Sequence, residues 1–190
     1  MDDAEINRLS KLQYYDPLYA LPELRKVQLA ISELQNIPNS IRNLRTRKLK
    51  RERELWMAFL LAYGLRARTG LPLLLADDEE SDHDVVLATV ANDLPHFLPV
   101  QLKEVVPEDL NPTANVQNII DDTFAKRSYQ DTLLAIKITQ NYSFDPNGLV
   151  VPPFSFAGIW IFAAVSPDQS RWALWGDFID DRLGTIFEIP

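Results

Sequence analysis

Asp84 opens a strand-like run, Val85-Val86-Leu87-Ala88, and after the break at Asn92-Asp93-Leu94-Pro95 the chain continues as Phe97-Leu98-Pro99-Val100-Gln101-Leu102-Lys103. Successive side chains of a strand point to opposite faces, so Gln101 and Lys103 share one face while Val100 and Leu102 turn the other way into a core. An amide and an ammonium on a strand that is otherwise apolar need partners, because a lone charge is costly to withdraw from water. Asp84, one hairpin away, is the natural partner for Lys103. The expectation is a junction where an acid, an amide and an amine meet.

Other chemistries are narrowed by what the chain lacks. It has no cysteine, which removes disulfides, thiol nucleophiles and thiolate zinc sites. Only His83 and His96 supply imidazoles, and a two-histidine metal site would require a turn to bring them together. At 190 residues, 46% hydrophobic and 24% charged, the composition is that of a globular protein with one substantial core. The sequence shows no transmembrane run, and Met1-Asp2-Asp3-Ala4-Glu5 lacks the basic and apolar parts of a signal peptide, so a cytoplasmic location is expected.

The net charge of −8 conceals two unlike halves. Residues 1–70 carry 13 basic against 8 acidic residues, and residues 71–190 carry 6 against 19. The positive excess gathers at Arg42, Arg45, Arg47, Lys48, Lys50, Arg51 and Arg53, with Glu52 the single acid inside the run. Arg45, Arg47, Lys48, Lys50 and Arg51 are candidates to neutralise nucleic-acid phosphates. A solvated surface paired with the acidic half of the same or another chain is the alternative.

These residues must be positioned by elements that the pattern suggests. Residues 4–15 read as a short helix ending before Asp16-Pro17, and Pro22 suits the first turn of a second helix that Pro38 ends. Together they make an N-terminal helical arm, residues 1–40, ahead of a single domain over 41–190. Ser40 is a cap for a long helix from about Arg42 to Arg68, basic at first and then apolar all round from Leu55 to Tyr63. Strands follow at 71–76, 84–90 and 97–106, separated by the acidic turn Asp77 to Asp82. A helix over 113–128 has Val116, Ile119, Ile120 and Phe124 on one face, and a strand occupies 133–139. Residues 159–165 and 171–175 flank Ser166-Pro167-Asp168-Gln169 as a closing hairpin. The fold class is therefore α/β or, more broadly, α+β: a central mixed sheet with flanking helices.

The order helix, three strands with a hairpin, helix, strand from Glu54 to Ile138 resembles the PD-(D/E)XK, or restriction-endonuclease-like, nucleases. That resemblance implies a restriction-endonuclease-like core and a metal-dependent nuclease hydrolysing phosphodiester bonds in DNA or RNA. Its motif residues match Glu54, Asp84, Gln101 and Lys103. Glu54, Asp84 and Gln101 would hold Mg²⁺ or Mn²⁺, with Asp84, Gln101 and Lys103 as the catalytic set. Glu52 shares a helix face with Trp56, Phe59 and Tyr63, and Glu54 one with Ala58, Leu61 and Leu65, so phasing leaves both acids open. Gln101 stands where many members have a carboxylate, and His83 where the family has its proline.

Other classes fit the same residues. One is an inactive nuclease-fold module that binds nucleic acid or protein through the basic run. Another is an interaction protein, such as a homodimer, assembled through its N-terminal helices. A hydrolase built on Asp177, Asp180 and Asp181 has only that acidic cluster behind it.

Overall fold

The structure is a computed structural model that describes residues 1–34, 37–78, 82–126, 129–140, 144–153 and 156–189, and the backbone alone at 42, 126, 129 and 130. The Arg42 side chain and part of the acidic turn, residues 79–81, lie outside the described set.

Helix α1 (Asp3–Leu9) is capped by the Asp2 carboxylate, which accepts from the Glu5 N–H. After a two-residue strand, β1 (Tyr14–Tyr15), helix α2 spans Pro17–Glu33. Asp16-Pro17 is thus a start and not a stop: Asp16 accepts from the Leu18 N–H at 2.9 Å, and Pro17 fits the first helical position, where its missing N–H costs nothing. Pro22 falls inside α2, not in its first turn.

A short helix α3 (Asn39–Arg42) and one 3₁₀ turn (Arg47–Leu49) precede α4 (Lys50–Thr69). The long helix therefore begins later than its charge pattern suggests, and the basic run straddles its start. The chain reverses at Leu44, which has φ 54°. Gly70 closes α4 in the left-handed region, φ 72°, donating to the Arg66 carbonyl. Gly64 is needed for contact: a Cβ there would lie 2.7 Å from the Phe187 ring.

Strands β2 (Leu74–Asp77), β3 (Val85–Ala91) and β4 (Leu94–Val105) form an antiparallel meander. Helix α5 (Val116–Lys126) crosses over to β5 (Tyr129–Ile138), parallel to β4, and β6 (Phe156–Ala164) lies parallel to β5. The expected hairpin is present as β6 and β7 (Arg171–Trp175), and β8 (Gly184–Glu188) adds a further antiparallel strand. The result is an α+β fold on an eight-stranded mixed sheet, its strands in chain order.

Helix α4 lies across one face of this sheet, where Leu75, Val85, Leu87, Val100, Leu102, Leu133 and Ala135 meet Trp56 to Leu65. Its outer side is covered by α2, whose Leu21 is fully buried, which explains an apolar pattern running all round α4. Each such leucine contributes about 2 kcal/mol of burial free energy. Val116 and Ile120 of α5 cover Leu134, Ile136, Ile159 and Ile161 on the other face.

Candidate functional site

The register of β4 makes the site. Its pairing with β3 ends at Val85–Val100, whereas its pairing with β5 runs on to Val105–Ile138. Past Gln101, β4 therefore borders β5 on one side and a cleft on the other. The first half of α4 faces that unpaired edge, and a cleft of about 220 Å³ opens there, lined by Lys50, Arg53, Glu54, Met57, Asp84, Leu102, Lys103 and Glu104.

Asp84 sits where β3 begins. Its backbone N–H donates to the Val100 carbonyl, and its carboxylate accepts from the Leu102 N–H at 2.7 Å and from the Gln101 amide. Burial pushes the Asp84 carboxyl above its ordinary range and the charge of Glu54 adds to the rise, against the opposing Leu102 N–H, Lys103 and Lys50. Glu54, on α4, has its carboxylate 3.2 Å from Lys50 and 3.7 Å from Arg51. Three acids, Glu54, Asp84 and Glu104, and three cations, Lys50, Arg53 and Lys103, thus border one cleft, brought there by α4, the residue ahead of β3, and β4. Gln101 is buried, and its amide is turned to Asp84.

Glu54, Asp84, Gln101 and Lys103 are brought together, and Glu52 is exposed elsewhere on α4. The candidate phosphate-binding residues are dispersed. Arg45 forks onto Glu104 at 2.7 and 2.6 Å, and Arg51 is bound to Asp77, to the Asp84 carbonyl and to Glu54. Arg47 and Lys48 are exposed; with Lys50, Arg51, Glu54, Asp78, His83 and Asp84 they border an adjoining cavity of about 330 Å³. The basic run is spent largely on the protein's own acids.

His83 Nε2 lies 2.7 Å from the buried Asp78 carboxylate, which also receives both arms of Arg8 and so fastens α1 to the sheet. His96 is exposed opposite Thr89, at the other end of the β3–β4 hairpin from His83. Asp177 is a loop-holding acid, accepting from the Ile159 and Ile179 N–H groups at 3.0 Å. A groove of about 420 Å³ between α2, α4 and β2 is larger and mainly apolar, with Tyr15, Glu23 and Asp77 as its polar lining.

One cluster was not singled out in the sequence. Lys137, on β5, is buried on the same sheet face as Glu104, and Trp56 closes over them from α4. Its signal is a lysine in phase with Leu133 and Ala135 in a run that is otherwise apolar from Leu133 to Ile138.

As a cation site the cleft offers the Glu54 and Asp84 carboxylates, since Glu104 is taken up by Arg45, Arg53 and Thr139, and two carboxylates are a hard oxygen set of the kind Mg²⁺ takes while keeping several waters. No group of three His, Cys, Asp or Glu able to hold a metal occurs among the described residues. None of the described helices is long and apolar enough to cross a membrane.

No protein-family model matches the chain, and no curated protein matches it. A solved structure, that of a protein of unknown function from Pseudomonas aeruginosa strain PAO1 in the monooxygenase superfamily, is similar over 100% of this chain and 97% of that one, at 12% identity and a TM-score of 0.38. The PD-(D/E)XK resemblance is corrected, together with the nuclease reaction and the inactive nuclease-fold alternative that followed from it: no family model carries it. The physical reason is the brevity of the motif: an acid followed by Gln-x-Lys after a hairpin is a spacing that unrelated sheets produce. A likeness of TM-score 0.38 brings no monooxygenase activity to this chain either.

Proposed function

We propose that the cleft at the unpaired edge of β4 binds a divalent cation together with a compact anion. Glu54 and Asp84 would hold the cation, Lys50 and Lys103 would attract the anion, and Gln101 would fix the Asp84 carboxylate. The observation that carries this reading is the pair of neighbouring acids in a half-buried cleft, where the charge of Glu54 and burial together disfavour ionisation of Asp84. A bound Mg²⁺ or Mn²⁺ would relieve that repulsion and act as a Lewis acid toward the anion. The volume of about 220 Å³ suits a phosphate- or carboxylate-sized group.

The test is calorimetric titration of the whole chain with MgCl₂ or MnCl₂, with and without inorganic phosphate, alongside Asp84→Asn. Saturable cation binding that phosphate tightens, and that Asp84→Asn weakens at least tenfold, is expected. Equal binding by the variant, or no saturable heat, would reject the proposal.

A further inference from the structure

A second polar pocket lies behind Glu104. It encloses about 160 Å³ and is bordered by Arg45, Arg53, Trp56, Glu104, Lys137 and Gln169 among others. Its charges do not balance: Arg45, Arg53 and Lys137 face one carboxylate, Glu104. Arg45 saturates that carboxylate with a two-armed contact, Thr139 donates to it as well, and Arg53 approaches at 3.6 Å. Lys137 attracts the same carboxylate only from beyond ion-pair distance. It is nine-tenths buried, makes no ion pair within 4 Å among the described residues, and has the Trp172 ring 5.7 Å from its Nζ. Trp56 is also more than nine-tenths buried, and its indole N–H finds no acceptor among the described residues.

A buried cation with no carboxylate of its own within ion-pair distance and an unmet buried donor each raise the free energy of the folded chain, and both border the same cavity. We propose that this pocket binds a compact oxyanion, of carboxylate or inorganic type, held by Lys137 and the Trp56 indole N–H with Arg53 beside them. Its charge would balance the excess cation, and its oxygens would supply the missing acceptor. The site is separate from the cation cleft, since neither Asp84 nor Glu54 borders it.

Binding is coupled to protonation. Burial, with Arg45 and Arg53 and against Glu104, lowers the Lys137 ammonium to about 8. The groups facing it are Glu104 from β4, Arg53 from α4, Arg45 from the preceding loop and the Trp172 ring from β7. An anion favours the charged ammonium, so affinity is full below pH 8 and falls above it.

The experiment is titration of the full chain with sodium acetate and, in a separate arm, sodium sulfate. Sodium chloride controls for ionic strength, no divalent cation is present, and binding is read by calorimetry at pH 7 and pH 9.5. Lys137→Met and Trp56→Phe keep most of the side-chain volume, and circular dichroism verifies their folding. Saturable binding at pH 7 is expected, at least tenfold weaker in Lys137→Met, several-fold weaker in Trp56→Phe, and weaker at pH 9.5 in the wild type. The arm that binds tighter identifies the anion as a carboxylate or an inorganic oxyanion. No saturable heat with either salt, or binding unchanged by Lys137→Met, would overturn the proposal. Because cation binding is tested through Asp84→Asn, either site can fail without the other.

Discussion

The cation cleft and the Lys137 pocket share Arg53 and Glu104 as a wall, yet their electrostatics are opposite. In the cleft, Glu54 and Asp84 adjoin and Asp84 resists ionisation. In the pocket, a single acid is outnumbered by cations: burial pushes Glu104 up, but Lys137, Thr139 and Arg45 more than offset this and hold it below its ordinary range. The same sheet edge thus presents one place where balanced charges leave an acid resisting ionisation and one short of negative charge. A carboxylate is a liability in the first and indispensable in the second.

That contrast can be broken by three substitutions. Glu104→Ala strands Arg45, Arg53 and Lys137 without an anion, and a loss of about 3–4 kcal/mol in urea unfolding is expected. A loss below about 1 kcal/mol would mean that water already compensates those cations. The Glu104 carboxyl has a folded-state pKa below its unfolded one, so its contribution is present above the unfolded value and disappears as pH falls through the folded one. The deficit of Glu104→Ala should therefore shrink in acid.

Lys137→Met should act in the other direction, stabilising the chain by about 2 kcal/mol at pH 7, because it removes a buried charge whose pKa is depressed to about 8. Between that value and the ordinary lysine range the unfolded chain holds the proton and the folded chain does not. Wild-type stability consequently rises with pH across this window, and the advantage of the variant fades. Thermal melts at pH 7 and pH 10.5 that show a constant gap would contradict the assignment.

Asp84→Asn gives the smallest change, within about 1 kcal/mol in the absence of cation, since the amide oxygen still accepts from Leu102 and the repulsion with Glu54 is gone. The folded pKa of Asp84 is raised, so ionisation costs stability as pH climbs through it. The variant should gain on the wild type from acid to neutral pH, the mirror image of Glu104→Ala. A matching pH dependence in the two variants would erase the distinction between the regions.

Much of this architecture was legible because it rests on runs of apolar side chains. The stretch Leu55 to Tyr63 announced a buried helix, though its start fell about eight residues later than expected, and the Val-rich and Ile-rich segments announced central strands within a few residues of their observed ends. β1 and β8 were missed because two residues carry no periodicity and Gly184–Glu188 alternates weakly at an edge. Asp16-Pro17 was misread because an Asp-Pro pair both stops one helix and caps the next. The meeting of Asp84, Gln101 and Lys103 followed from strand alternation and one hairpin. The neighbourhood of Lys137 did not, because its partners arrive from β4, α4 and a preceding loop, and no short-range pattern records that three distant cations share one acid.

The order of the strands has a consequence for how the chain is made. All seven ladders join strands that follow one another in sequence, so no strand has to be inserted between two already paired. A nascent chain can therefore extend the sheet by its growing edge, with the main loop-closure cost confined to the return from β1 to β2 through α2, α3 and α4. The cation cleft becomes complete once β4 emerges, whereas the Lys137 pocket must await β5 and the loop beyond β6. Synthesis thus completes the cleft of Glu54 and Asp84 before the cation-rich pocket.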